Sequence, residues 1–492
     1  MSNYKAPGVY VQDVVSGSQS ISQASSSIGI LIGTTRSGKV GEAQKIGSWT
    51  EFISKYANGL DTPFLENSYL PYAVHGFFAN GGKELYIGSI KKNAKAATSV
   101  TTTTVDGTTS TGSLSTKNNI VATASSEGVW GNSIKIKIEK NSGYTAKTYE
   151  AFDVTVSIGT NESVTVADVL LSDINGLVMA NSKVKQWLSE FKVGETITEL
   201  AEEEFTLAGG SDGDVLVDTD YSNALNMIDV LDDVTMVAIP GQTSTVLNEA
   251  LITYCENKGL FPILDMPIGS TPSATKSYRK SITAFTGALA YPWGKVNDPL
   301  TNSLKTVPTA GHLMGVYARI ISNRGVHKAP AGVDAQVRGF IEMEYQLTPS
   351  DISSLNPIGV ICITSRPNAG IVLWGARSLN SIDSTMRYVS DGLLNLNIKK
   401  SLYDGTQFAV FEPNDEQLWS KVQATCKAFL ETLRTSGALK GSAEEAYYVT
   451  VDSTNNTDIS IADGELNIEV GYAPVKPAEF VVIKLAHSIV SE

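Results

Sequence analysis

Both ends of the chain are proline-led runs of strand-forming residues, APGVYVQDV at 6–14 and APVKPAEFVVIKL at 473–485. Each reads as an extended strand set off from its neighbours. Neither has a hairpin partner next to it in sequence. An unpaired strand exposes a row of backbone N–H and C=O groups, so each must find an edge to join. That edge lies either in the same chain or in another copy.

At 492 residues the chain is long enough to bury a large core and divides into two to four domains. With 42% hydrophobic and 18% charged residues, it has the composition of a folded, soluble protein. A net charge of −13 argues against direct nucleic-acid binding, which needs a basic stripe, and against attraction to an anionic membrane. Cys255, Cys362 and Cys426 are far apart and odd in number, so neither a disulfide framework nor a metal site is expected. Synthesis in a reducing cytoplasm follows. The first residues have no apolar h-region, and no run of 18 apolar residues suggests membrane insertion. The glycosylation-like triplets at Asn161 and Asn455 are read as chance.

Residues 16–27 are rich in Ser and Gln and read as a flexible linker. Ile28 to Gly33 reads as a buried strand. Ser48 with Glu51 marks a helix start, Tyr69 to Phe78 a second helix, and Leu85 to Ile90 a strand. From Lys91 to Lys117 Thr and Ser dominate, with Asp106 and Gly107 as a hairpin signal in an exposed hairpin or mobile loop. Ile134 to Ile138 and Phe152 to Ile158 alternate with period two and predict half-buried strands. After 215 the order becomes helix (Tyr221–Leu231), strand (Val234–Ile239), helix (Thr245–Asn257), strand (Phe261–Asp265), which implies parallel pairing. Late in the chain, Asn414 with Gln417 predicts a helix cap. Leu418, Trp419, Val422, Cys426, Phe429, Leu430 and Leu433 then make one apolar stripe, ended by Gly437. A strand over Ala446–Val451 follows, and Ile459 to Val470 reads as two strands around Asp463 and Gly464.

The chemistry is thin. Gly33 to Val40 (GTTRSGKV) nearly matches a phosphate-binding loop, but Val40 lacks the hydroxyl that holds Mg²⁺ and no helix pattern begins there; a surface turn is the reading. His75, His312, His327 and His487 are the available imidazoles, and no G-x-S-x-G elbow accompanies them. Asp265 sits at a strand end, where α/β sites gather, but is read as structural. Glu342 with Glu344 and Asp232 with Asp233 read as solvated faces or helix termini. Arg319, Arg324, His327 and Lys328 form a basic cluster suited to phosphate or to a charged subunit contact. No catalytic, cofactor or metal site is assigned. Donation of the terminal strands to another subunit is the better account, since repeated head-to-tail contacts build helical tubes.

The chain resembles the sheath proteins of contractile bacteriophage tails almost end to end. The resemblance is carried by APGVYVQDV at 6–14, ILIGTTRSGKVGEAQKIGSWTEFISKYANG at 30–59, EGVWGNSIKIKI at 127–138, LAGGSDG at 207–213, VTMVAIPG at 234–241, YPWGKVNDP at 291–299 and GVYARIISNRGVHKAPAG at 315–332. The C-terminal blocks are the most specific: LWGARSL at 373–379, VFEPNDEQLW at 410–419, FLETLRTSGALKG at 429–441 and GYAPVKPAEFVVIKL at 471–485. The stretch from Tyr388 to Leu394 is less basic than is usual in such proteins.

The resemblance implies a multidomain α/β and α+β fold: a subtilisin-like, non-catalytic α/β domain (21–94 and 211–365), a β-rich inserted outer domain (95–210) and a C-terminal core domain facing an inner tube (366–477). Linking arms at 1–20 and 478–492 complete it. It implies a non-enzymatic subunit of stacked rings around an inner tail tube, in contact with baseplate and tail terminator proteins. The subunit is made in the host cytoplasm and resides in the virion tail. Contraction would drive the tube through the bacterial envelope for genome ejection. The inter-subunit strand residues would be Val9, Tyr10, Val11, Gln12, Val14, Phe480, Val481, Val482, Ile483 and Leu485. Lys421, Lys427 and Arg434 are the candidates for touching the tube. Alternatives are the sheath of a phage-derived injection particle without a genome, an α/β hydrolase using Asp265, and a surface adhesin built on the β-rich insert.

Overall fold

Ile30, Leu31 and Ile32 are fully buried, as a strand covered on both faces must be. They form β1 (Gly29–Gly33), followed by β2 (Ala43–Ile46), helices α1 (Trp49–Tyr56) and α2 (Leu70–Ala79), and β3 (Leu85–Ser89). The structure, a computed structural model, describes residues 21–58, 62–105, 108–114, 116–141, 150–160, 162–195, 197–480 and 482. The expected arm residues Val9, Tyr10, Val11, Gln12, Val14, Val481, Ile483 and Leu485, and the turn at Asp106 and Gly107, lie outside them.

The chain then builds a β-rich insertion: β4 (Val100–Val105), β5 (Thr108–Leu114), β6 (Val121–Ala124), β7 (Ile134–Lys140), β8 (Phe152–Ile158), β9 (Glu162–Val169), α3 (Ile174–Ala180), α4 (Ser182–Trp187), β10 (Leu188–Lys192) and β11 (Glu203–Thr206). The period-two pattern places Ile134, Ile136, Ile138, Val154, Val156 and Ile158 inside, around Trp130 and Trp187, in a core of its own. The sheet order is β11-β7-β8-β9, while β6 pairs β10 and the Thr-rich strands β4 and β5 pair each other.

Back in the α/β part come α5 (Asp218–Ala224), which tightens into a 3₁₀ turn over Leu225–Ile228, β12 (Met236–Ala238), α6 (Thr245–Lys258), β13 (Phe261–Asp265) and α7 (Pro272–Lys280). Then follow β14 (Ala288–Tyr291), β15 (Gly294–Asp298), β16 (Ser303–Val307), α8 (Ala310–Arg324), β17 (Glu342–Met343), α9 (Pro349–Leu355), β18 (Ile361–Arg366) and β19 (Gly370–Leu373). The sheet runs β19-β18-β14-β13-β12-β1-β3-β2. Its six inner strands are parallel and both edges antiparallel. Ile30, Ile32, Val237 and Leu264 pack with Leu247 and Leu251 of α6 on one face. Alternation turns Leu31 and Ile263 to the other face, where α2 and α8 pack. Those two helices approach closely because Gly311 and Gly315 face α2; a Cβ on Gly311 would meet Ala73 O at 2.3 Å. The boundary expected at 366 therefore falls within the β18–β19 hairpin of this sheet.

Two compact units result: Ser25–Leu396, and Asn397–Glu492 together with the chain up to Ala24. The boundary lies within α10 (Val389–Thr406). The second unit continues with α11 (Glu416–Thr435), α12 (Ala443–Ala446), β20 (Tyr447–Thr450), α13 (Asp458–Ala462) and β21 (Glu469–Tyr472). Two expectations change here. Ile459–Val470 is a short helix then a strand, because Thr457 caps α13 by accepting from Ser460 N and Gly464 at φ +77° turns the chain out of it. The described part of the expected linker is held on α10 as far as Ala24. There Ala24 N donates to Ser401 Oγ at 2.9 Å and Asn397 Nδ2 donates to Ala24 O at 2.7 Å.

Candidate functional site

The residues with an expected assembly role that can be described lie on α11 and around β20 and β21. Asp415, one residue after the expected cap, starts α11: its Oδ1 accepts from Gln417 N at 3.0 Å and Leu418 N at 2.9 Å. Asn414 instead accepts from Trp419 Nε1 at 2.7 Å and donates to Glu465 O at 2.9 Å. The expected apolar stripe is buried throughout, joined by Thr425, and packs against β20; Gly437 at φ +84° ends the helix. At about 100° per residue, Lys427 and Arg434 share one line along the outer face, about 10 Å apart, while Lys421 lies to its side. Lys421 and Lys427 are exposed. Lys421 Nζ stands 4.7 Å from the Phe408 ring centroid, a cation–π contact that fixes its stem. Arg434 is already engaged with Glu431, at 2.8 Å from Nε and 2.5 Å from Nη2. This pairing, supported by a bond from Tyr447 Oη, pulls the Glu431 carboxyl down to about 2.

Strands β20 and β21 pair antiparallel, Tyr447 with Tyr472 and Thr450 with Glu469. The Tyr448 ring lies across Gly471, where a Cβ would meet it at 2.0 Å, and its hydroxyl donates to Glu469 at 3.0 Å. Among the described residues no third strand joins this pair. Beyond β21 the chain folds back along the β20 side: Ala473 N donates to Ala446 O, Lys440 N to Ala473 O and Val475 N to Ala438 O. Of the expected arm residues, Phe480 and Val482 are described, 73% and 77% exposed.

The catalytic candidates are absorbed by the fold. Asp265 is buried, with Oδ1 accepting from Thr309 N and Ala310 N at 2.9 Å each and Oδ2 from Gly241 N at 3.0 Å. It ties the first turn of α8 to the end of β13. Burial pushes its carboxyl up to about 6 despite these bonds. His312 is buried with neither ring nitrogen hydrogen-bonded, stacked 3.9 Å from Phe340; burial pushes it down to about 3. Arg319 donates to Asn80 O and Gln336 O, and Arg324 pairs with Asp334. Lys295 pairs with Glu342, Lys45 pairs with Asp233, and Glu344 accepts from Gly269 N. Burial pushes the Cys362 thiol up to about 12, the Cys426 thiol to about 11, and Cys255 higher still. Among the described residues no group of His, Cys, Asp or Glu could hold a metal ion, and no helix is long and apolar enough to cross a membrane.

The phosphate-loop look-alike is a docking socket. After Gly33 no helix begins; the next element is β2. Gly38 N donates to Ser126 Oγ of the insertion at 3.0 Å. Lys91, with only 1% of its side chain exposed, donates to Arg36 O (3.2 Å), Glu127 O (2.8 Å) and Asp212 Oδ1 (3.1 Å). Burial lowers its ammonium pKa, with Asp212 opposing. Gly128, at φ +135°, is required here: a Cβ would meet Lys91 Nζ at 2.7 Å.

The phage tail sheath central domain matches residues 216–379, and the phage tail sheath C-terminal domain matches residues 392–486, together more than half of the chain. The chain belongs to the phage tail sheath family. The tail sheath protein of Vibrio phage KVP40 is 22% identical over 255 residues, covering 52% of this chain and 37% of that protein. The tail sheath protein of Escherichia phage P2 is 21% identical over 259 residues, covering 51% of this chain and 62% of that protein. The matched part of this sheath chain thus spans less than two thirds of either relative. In fold it is similar to the sheath of an extracellular contractile injection system solved in its contracted state, with TM-score 0.61, 21% identity and 99% coverage of both chains.

Two features of this sheath chain escaped the sequence. Lys91 sits at the base of the insertion as one cation among 38, with partners 36 and 121 residues away. Phe411 occupies left-handed backbone at φ +66° and is fully exposed, yet nothing in its spelling marks it.

Proposed function

We propose that this chain is the structural, non-enzymatic subunit of a contractile tail sheath. Copies polymerise as stacked rings, a helical tube around an inner tail tube, and contraction drives that tube through the bacterial envelope for genome ejection. The observation that carries this reading is the match to both sheath domains together with fold similarity, over 99% of both chains, to a sheath solved contracted. Residues 1–20 and 478–492 act as linking arms whose strands join sheets of neighbouring copies. The exposed apolar pair Phe480 and Val482 supports this, since strand addition supplies backbone bonds and pockets for alternate side chains. The insertion, taken as 95–210, is outer decoration. Lys421 and Lys427 are the cations of α11 offered to the tube, with the inner tube, baseplate and tail terminator proteins as partners in a virion tail. Arms that stay paired with a neighbour's sheet would allow rigid-body rotation of subunits without loss of connection.

A second reading, the sheath of a genome-free injection particle, is favoured by that fold neighbour, the sheath of an extracellular contractile injection system. Electron microscopy of purified protein tests the common core. Hollow ringed tubes are expected, and deletion of residues 1–20 should leave a folded subunit that forms none. Normal tubes from that truncation would refute the arm assignment.

A further inference from the structure

The C-terminal half of α10 carries a seat, and the first described residues of the chain fill it. Asn397, Ser401 and Gly405 recur every four residues and so form one stripe on the helix, about 12 Å long. Residues 21–24 run the opposite way along it, a reach that three residue steps cover at about 10 Å when extended. Ile21 lies on Gly405, and Gln23 and Ala24 lie at Asn397 and Ser401. These four residues belong to no helix or strand, so side chains of the stripe supply bonds that no ladder provides. Ala24 N donates to Ser401 Oγ at 2.9 Å, and Asn397 Nδ2 donates to Ala24 O at 2.7 Å. Asn397 Oδ1 accepts from Gln23 Nε2 at 3.1 Å. Asn397 and Ser401 are both buried. Gly405 is a slot: a Cβ there would meet Ile21 Cγ1 at 2.4 Å, and Cδ1 and Cγ2 at 2.8 Å. Ile21 is the single large apolar residue between Ser16 and Ser27, so it sets the register. A slip of one residue would bring Ser20 or Ser22 to the slot instead.

We propose that this stripe positions the N-terminal arm: Asn397, Ser401 and Gly405 hold its root on α10 throughout assembly, so that residues 1–20 reach a second copy from a fixed point. The inference rests on the reading of 1–20 as a linking arm. Residues 21–24 adjoin that arm directly, so a pull on residue 20 meets the Ile21–Gly405 contact before it meets β1 at Gly29. The seat is polar where backbone must be held and empty where a side chain must enter. Unseating the root would lengthen the tether from 1–20 to 1–28, which alone dilutes the arm less than about twofold. The larger effect is that the root would then have to be ordered at each assembly step.

The test uses full-length subunits. Gly405→Leu fills the slot. Isolated subunits should stay folded, because leucine favours the helix more than glycine does. The Ala24 N–H should exchange with solvent faster, and the concentration needed for tubes should rise about tenfold or more. Ile21→Cys combined with Gly405→Cys puts two thiols at the contact, while the three native cysteines are buried and stay silent. Oxidised, stapled subunits should form tubes at the wild-type concentration or below it. Tubes from Gly405→Leu at the wild-type concentration would overturn the seat. So would a staple that blocks assembly until it is reduced, which would mean that the root leaves α10 on assembly. Deletion of residues 1–20 separates the two claims. If the deletion abolishes tubes but Gly405→Leu assembles normally, the seat fails alone; if the deletion assembles normally, the arm reading fails and the seat with it.

Discussion

His312 gives this fold an acid liability of calculable size. Its ring is buried, stacked on Phe340, and both nitrogens lack partners. Protonation would strand a charge there, so the folded pKa falls from 6.5 to about 3. The unfolded chain binds the proton and the folded chain does not, so stability is lost as pH falls below 6.5 and levels off below about 3. At pH 4.5 the loss is about 2.7 kcal/mol, two pH units at 1.36 kcal/mol each. Asp265 works in the opposite sense. Burial raises it from 3.8 to about 6, so the folded chain holds the extra proton and gains about 2 kcal/mol by pH 4.5. In the wild-type chain the two largely cancel.

Substituting His312→Leu breaks the cancellation. At pH 8 the change should be small, within about 1 kcal/mol, because losing the ring contact (roughly 0.5–1.5 kcal/mol) is offset by removing two unsatisfied nitrogens. Between pH 8 and 4.5 the variant should gain about 2.7 kcal/mol relative to wild type. Urea unfolding of both proteins at half-unit pH steps, followed by tryptophan fluorescence, reads the difference curve, in which surface carboxylates common to both drop out. A flat difference from pH 8 to 4.5 would show that His312 titrates normally and is not sealed as described.

Lys91→Met should cost about 2–4 kcal/mol, since it strands two carbonyls and the Asp212 carboxylate. Hydrogen exchange should quicken at Gly38 and Val129 before it does in β13. Asp415→Ala should cost about 1 kcal/mol through the lost cap bonds of α11, seen as a lower melting temperature of the C-terminal unit. Lys427→Glu, on an exposed face, should leave stability within about 0.5 kcal/mol but weaken co-sedimentation with the inner tube. Equal co-sedimentation would remove α11 from the tube interface.

Periodicity carried the elements whose burial is one-sided. The α11 stripe and the alternating strands β7 and β8 stand where the sequence puts them, because one buried face imposes one period. What failed was local chemistry with two readings. Asn414 and Asp415 are both good caps, and the choice fell to Asp415 because the Trp419 indole and Glu465 carbonyl claim Asn414. Ile459 and Ile461 fit a strand pattern, but a Thr cap and a left-handed glycine close a single helical turn there. The boundary near 366 was misplaced because β19 pairs back onto β18, a tertiary choice that hydropathy does not encode. Position off the apolar stripe marks Lys427 and Arg434 alike, and the stripe does not show that Glu431 already answers the charge of Arg434.

The near-match at Gly33–Val40 shows why such ambiguity is physical. A phosphate cradle and a domain socket require the same thing of a backbone: small residues, a left-handed glycine and N–H groups turned outward. Gly38 meets that requirement at φ +95°. What decides its use is the group opposite, and here that group is the Ser126 hydroxyl, 88 positions later in the chain. The invariant-looking lysine of the motif, Lys39, is turned to Glu42 at the surface, while the cation that enters the socket is Lys91, from the end of the neighbouring strand. If the socket is what holds the insertion, Ser126→Ala and Lys91→Met should weaken the same boundary and be non-additive, because both act through the 36–38 backbone. Strictly additive losses would mean that the two contacts hold the insertion independently, and that the loop is a turn two domains happen to touch.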